Sequence, residues 1–179
     1  PEGGLVHERP FRNPHHSASL PALVGGGTKA KPGEISLAHK GVLFLDELPE
    51  FNRATLESLR QPLETKEAVI ARVQSRATYP ADFQLIAAMN PCRCGYMGDP
   101  DRECTRAPKC GLYYQSKISG PFMDRMDIFV DVPPVTVADL RGEGDGEDSM
   151  SIKARVEKAQ DIQYARNGAG KLNNALTTE

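Results

Sequence analysis

At 179 residues, with 39% hydrophobic and 26% charged side chains, the chain can bury one sizeable core, and no stretch approaches the ~20 consecutive apolar residues of a membrane-spanning helix. A formal net charge of −2 excludes a global attraction to nucleic acid, so any such contact must come from a local cluster of Lys and Arg. The opening Pro1-Glu2-Gly3-Gly4 has none of the features of a signal peptide, so a cytoplasmic setting away from membranes is expected.

The first forty residues are rich in Pro, Gly, His and Ser, with Pro10-Phe11-Arg12-Asn13-Pro14-His15-His16 followed by Gly25-Gly26-Gly27. Those residue types supply turns and positive φ angles, which predicts a long ordered loop or insert with short helices rather than a sheet element. From Gly33 to Lys40 the apolar positions Ile35, Leu37 and Ala38 describe a short amphipathic helix. It feeds Gly41-Val42-Leu43-Phe44-Leu45-Asp46-Glu47. Four apolar residues without polar alternation read as a strand buried on both faces of a parallel sheet. The two acids then stand at its C-terminal edge, where open α/β sheets bind ligands. There one carboxylate can hold a hydrated Mg²⁺ while its neighbour polarises a water for attack on a phosphate, which is the Walker B pattern. The plainer alternative is a core strand that meets a charged turn.

Asn52 is a good N-cap for a helix whose stripe is Leu56, Leu59 and Leu63, with Pro62 kinking or ending its last turn. Glu67 to Ala71 and Ala77 to Tyr79 read as a hairpin around Gln74-Ser75-Arg76, closed by Pro80. Phe83 to Met89 is a second buried strand, ending in Asn90 and stopped by Pro91. A Cys-bearing loop and a helix near Tyr113 to Ile118 precede a third buried strand, Ile128 to Val132, stopped by Pro133-Pro134. Residues 142 to 149 carry four acids, three glycines and no apolar side chain, which predicts a mobile linker. Beyond it, Ile152, Val156, Ala159, Ile162 and Gln163 mark a helix from Ser151, a plausible N-cap, to Arg166.

Three buried strands would thus deliver polar groups to one edge: Asp46 and Glu47 from the first, Asn90 from the second and Arg125 shortly before the third. That succession resembles an AAA+ ATPase. The run Gly33 to Phe51, with Arg9-Pro10-Phe11-Arg12-Asn13-Pro14-His15-His16-Ser17 and Ser119-Gly120-Pro121-Phe122-Met123-Asp124-Arg125, is similar to the Mg-chelatase-like branch and, within it, to the ComM (YifB) family. The resemblance implies an α/β fold: a partial P-loop NTPase core, a parallel sheet flanked by helices, with a β-hairpin insertion and a Cys-containing loop. It implies residues 1–140 as the central and C-terminal part of that core, 141–150 as a flexible linker and 151–179 as the start of a helical lid. Carried over residue by residue, it gives Asp46 the Mg²⁺ role, Glu47 the activation of water, Asn90 the placing of that water beside the γ-phosphate, and Arg125 the part of an arginine finger acting in the next subunit of a hexameric ring. The full-length protein would then hydrolyse ATP and act on DNA, the family being associated with branch migration. A magnesium chelatase motor subunit and a non-hydrolysing scaffold are the competing expectations. For Arg125 the structural alternative is an ion pair with Asp124 or Asp127, and for Asn90 a strand cap.

No Gly-x-x-x-x-Gly-Lys-Ser/Thr occurs, and Gly25-Gly26-Gly27-Thr28-Lys29 is only a superficial echo of one. In the family the P-loop lies upstream and sensor 2 downstream, so the chain is read as a central fragment expected to bind ATP weakly or not at all by itself. By position, residues 67 to 80 correspond to the pre-sensor-1 hairpin of helicase-like relatives, where Arg72 and Arg76 flank the tip and would meet DNA phosphates, unless they are merely solvated charges. His15 and His16 are either a metal or phosphate site or loop residues without a derivable role. Cys92, Cys94, Cys104 and Cys110 fall within nineteen residues, which in a reducing compartment suggests structural zinc more than disulfides. The irregular C-x-C and C-x5-C spacing keeps free thiols an equal alternative, with redox use a third.

Overall fold

The computed structural model describes residues 8–27, 30–71, 76–99, 102–133, 135, 146–168 and 170–176. Two compact units divide the chain, Pro1–Asp131 and Val132–Glu179. In the first, Pro10 and Pro14 bracket a two-residue strand, β1 (Phe11–Arg12), followed by α1 (Leu20–Val24), capped by the Ser19 hydroxyl. A minimal hairpin of β2 (Gly25–Gly26) and β3 (Lys31–Pro32) leads to α2 (Glu34–Leu37) and then β4 (Val42–Leu45). The N-terminal segment therefore does contribute to the sheet, because β1 pairs in parallel with β4. A strand of two residues carries no periodicity, so this pairing has no local signal.

After a 3₁₀ turn over Leu48–Glu50 come α3 (Arg53–Glu57) and α4 (Arg60–Thr65), in place of one continuous helix. Asn52 caps α3 as expected, its Oδ1 accepting from the Ala54 amide at 2.9 Å. The break falls at Ser58, four residues before Pro62, whose ring cannot donate to that carbonyl and would collide with it. The predicted hairpin is present as β5 (Glu67–Ala71) and β6 (Arg76–Pro80), and β7 (Gln84–Ala87) completes a parallel sheet of order β1-β4-β7. The helix expected near Tyr113 begins earlier, as α5 (Lys109–Gln115), and α6 (Gly120–Met123) is capped by Ser119. The result is an α/β unit with helices beside a parallel sheet.

Leu43 and Leu45 of β4 are fully buried against Leu23, Ile35, Leu56 and Phe122. The expectation of burial on both faces fails: Val42 and Phe44 are half-buried, and Phe11 (62% exposed) and Ile86 (41%) share the thinly covered side. β7 is accordingly a half-exposed strand. The segment Ile128 to Val132 is not a strand either, and Ile128 is 80% exposed. An apolar run becomes a buried strand only beside a hydrogen-bonding neighbour, and none is found among the described residues.

Two glycines of the sequence motif are packing requirements. A Cβ on Gly33 would lie 2.5 Å from the Leu23 carbonyl oxygen, and one on Gly41 would lie 1.9 Å from that of Pro10. Because the obstacle at Gly41 is backbone of the residue that leads into β1, Gly41→Ala must push β1 off β4. It is expected to lower stability by about 3 kcal/mol, read as a shift of the urea midpoint at unchanged slope.

In the second unit α7 (Ser149–Asn167) is capped by Asp148, not Ser151; the Asp148 carboxylate accepts from the Ser151 amide at 2.6 Å and is thereby held below the usual aspartate range. Residues 141–145 of the predicted linker lie outside the described residues. Met150, Ile152, Val156 and Ile162 are all exposed on α7.

Candidate functional site: an acidic rim at the strand ends

The register of β4 and β7 decides which side chains meet. Leu45 pairs with Ala87, the Ala88 amide donates to the Leu45 carbonyl at 2.9 Å, and the Leu48 amide donates to the Ala88 carbonyl at 3.0 Å. Asp46 and Glu47 therefore leave the sheet at the same C-terminal edge as Met89 and Asn90. All three predicted residues, Asp46, Glu47 and Asn90, are exposed there. Asn90 makes no side-chain hydrogen bond among the described residues.

The turn after β4 is tightly specified. Asp46 Oδ1 accepts from the Glu47 amide at 2.9 Å, which orients the carboxylate along the chain. Glu47 itself adopts φ 51° and ψ 47°, a left-handed conformation that costs a non-glycine residue ~1 kcal/mol. Such strain concentrates where a side chain must be aimed. The aim is toward His16, whose Nδ1 lies 3.0 Å from Glu47 Oε2. The His16 ring lies tilted against that of His15, with centroids 4.1 Å apart, and meets the edge of Phe51, while His15 Nδ1 lies 2.8 Å from the Ser17 hydroxyl. His16 is thus a member of this rim that sequence reasoning left without a role: thirty-one positions separate it from Glu47, and only the pairing of β1 with β4 brings them together.

The rim is electronegative. Burial, and then the charges of Glu50, Glu47 and Asp46, push the Tyr114 phenol above its ordinary range. Lys117 offsets part of that field, its Nζ lying 3.1 Å from Glu50 and 5.2 Å from the Tyr114 ring centre. A crevice of about 640 Å³ opens beside His16, Ser17, Ser19, Glu50 and Asn52, and another of about 400 Å³ beside Glu50, Arg53, Tyr113 and Lys117. Asp46, Glu47 and Asn90 line neither and stand on an open rim.

Arg125 is elsewhere engaged. It pairs with Glu64 of α4, not with Asp124 or Asp127, and donates to the Pro121 carbonyl at 2.8 Å. Arg76 is exposed at the start of β6, paired across the hairpin with Ala71; Arg72 lies outside the described residues. The four cysteine sulfurs converge within 4.8 Å of one another, two residues beyond Asn90.

A family model described as "Magnesium chelatase, subunit ChlI" matches residues 1–140. Competence protein ComM of Haemophilus influenzae is 51% identical over 174 residues, covering 96% of this chain and 33% of that protein. YifB of Escherichia coli is 49% identical over 167 residues, covering 93% and 32% respectively. Among solved structures, NtrX from Brucella abortus in complex with ADP covers 66% of this chain at 18% identity and a TM-score of 0.45. The chain spans about a third of the length of the curated relatives it matches, and it belongs to the magnesium chelatase subunit ChlI family, with ComM and YifB among its relatives.

Proposed function

We propose that the chain is the hydrolytic and interface portion of an AAA+ ATPase that, as the full-length protein, works as a cytoplasmic hexameric ring remodelling DNA. The observation that carries the reading is the delivery of Asp46, Glu47 and Asn90 to one edge by two paired parallel strands. The donor set suits Mg²⁺, a hard cation that takes carboxylate oxygens and keeps several waters. Mg²⁺ bound with ATP offsets the charge that gathers on a transferring phosphoryl group. Within that frame Asp46 holds the hydrated ion, with its Oδ2 free of hydrogen bonds among the described residues. Glu47 takes a proton from the attacking water, Asn90 orients that water, and Arg125 stabilises the charge developing in a neighbouring subunit.

Support for DNA comes from the resemblance to ComM and from Arg76 on the hairpin. The family description favours a second reading, a magnesium chelatase motor; the 51% identity to ComM favours the first. The test is ATP hydrolysis by the full-length protein with and without branched DNA. Mg²⁺-dependent hydrolysis stimulated by branched DNA is expected. Hydrolysis indifferent to DNA would favour the chelatase reading, and no hydrolysis at all would favour the scaffold.

A further inference from the structure

Between Pro91 and Cys110 none of the described residues lies in a strand, and among them only Cys92 and Cys104 are buried. So little buried apolar surface does not offset the entropy of ordering a loop of this length. Yet the loop is folded tightly enough to bring four sulfurs together: Cys92 and Cys94 at 3.3 Å, Cys94 and Cys104 at 3.4 Å, and all four, with Cys110, within 4.8 Å. All four are free thiols.

We propose that Cys92, Cys94, Cys104 and Cys110 form a structural zinc site. Tetrahedral thiolate zinc has Zn–S bonds of ~2.3 Å, which places the sulfurs ~3.8 Å apart, inside the range seen here. Zinc bound this way has no open position for substrate and supplies folding energy to its loop. The chain returns from the C-x-C pair to Cys104 past two glycines. Gly95 (φ 83°) and Gly98 (φ 86°) turn the chain back, and the Cys104 amide then donates to the Tyr96 carbonyl at 3.2 Å. Arg93, Arg102, Arg106 and Lys109 are all exposed around the loop and offset the charge of four thiolates.

The site also has a position in the larger unit. Cys92 follows Asn90 by one intervening residue, Cys110 lies in the first turn of α5, and Gln115 of α5 donates to the Pro91 carbonyl at 3.2 Å. Zinc would therefore clamp the strand end that presents Asn90 to α5, and on the hydrolytic reading above its loss should lower kcat more than nucleotide affinity.

Metal content of the full-length protein is the primary test, since it does not depend on any ATPase activity. One zinc per chain is expected by elemental analysis, falling to near zero in Cys92→Ser and in Cys104→Ser. Replacement by cobalt(II) should give the intense visible bands of tetrahedral thiolate coordination. Because a ligand variant can fail to fold, wild-type protein is also titrated with a mercurial. Zinc release in step with loss of four thiols supports the site. Four thiols that react at once in the native protein with no zinc released, or iron in place of zinc, overturns it. Bound zinc with kcat unchanged after its removal overturns the link to Asn90 and leaves the metal site standing.

Discussion

In the full-length protein Glu47→Gln is expected to lower kcat for ATP hydrolysis by ~10² to 10⁴, the range for losing a positioned general base, while nucleotide stays bound. The substitution keeps the shape of the side chain and its ability to accept a hydrogen bond from His16. What it removes is the capacity to take a proton. Glu47 is 51% exposed on its side chain and its side-chain partner is His16, so the fold loses little. A companion change separates chemistry from structure. Glu47→Gly should be equally inactive yet more stable by ~1 kcal/mol, since glycine occupies φ 51° without the penalty that glutamate bears. Folding stability is read from denaturant melts and turnover from phosphate release. A Glu47→Gln protein that keeps half its turnover would remove Glu47 from the reaction.

The same left-handed residue shows where sequence reasoning works and where it stops. Val42 to Glu47 was legible because burial and charge alternate abruptly within six residues, and the hairpin of β5 and β6 because turn residues separate two β-rich runs. Local pattern carries such features. It does not carry contacts between distant segments, so the pairing of β1 with β4 and the approach of His16 to Glu47 were both missed. Nor does it reveal a glycine whose absent Cβ would strike another segment, as at Gly33 and Gly41. The run Ile128 to Val132 failed in the opposite sense: its composition states a demand for burial, but pairing requires a neighbouring strand, and a pattern cannot say which one supplies it. The four cysteines were legible as a candidate cluster, but their spacing alone left zinc and free thiols equally open; the convergence of the sulfurs emerges only once the chain turns back past Gly95 and Gly98 toward Cys104. The split between α3 and α4 was half-legible: Pro62 was recognised as a breaker, but its effect falls four residues upstream, at the carbonyl it deprives of a donor.

Arg125→Ala is expected to lower turnover of the assembled full-length protein by ~10³ to 10⁵, the range for an arginine finger. The structure makes this prediction sharper, because Arg125 is held by Glu64 and by the Pro121 carbonyl within its own unit. An ion pair with side chains 27% and 55% exposed contributes ~0 to 1 kcal/mol, so its loss alone changes the folded fraction of a stable protein hardly at all. A thousandfold loss of turnover therefore cannot be explained by that pair. If Arg125 acts on a neighbour's nucleotide, it must leave Glu64 to do so, and Glu64→Gln should keep or raise activity by releasing it. Mixing supplies the decisive measurement. Arg125→Ala and Glu47→Gln proteins, each inert alone, should together recover part of the turnover, since some interfaces then combine an intact Glu47 with an intact Arg125 from the adjacent subunit. A mixture as inactive as its components would place Arg125 within its own subunit's structure, and equal destabilisation by Arg125→Ala and Glu64→Gln would identify the ion pair as its whole role.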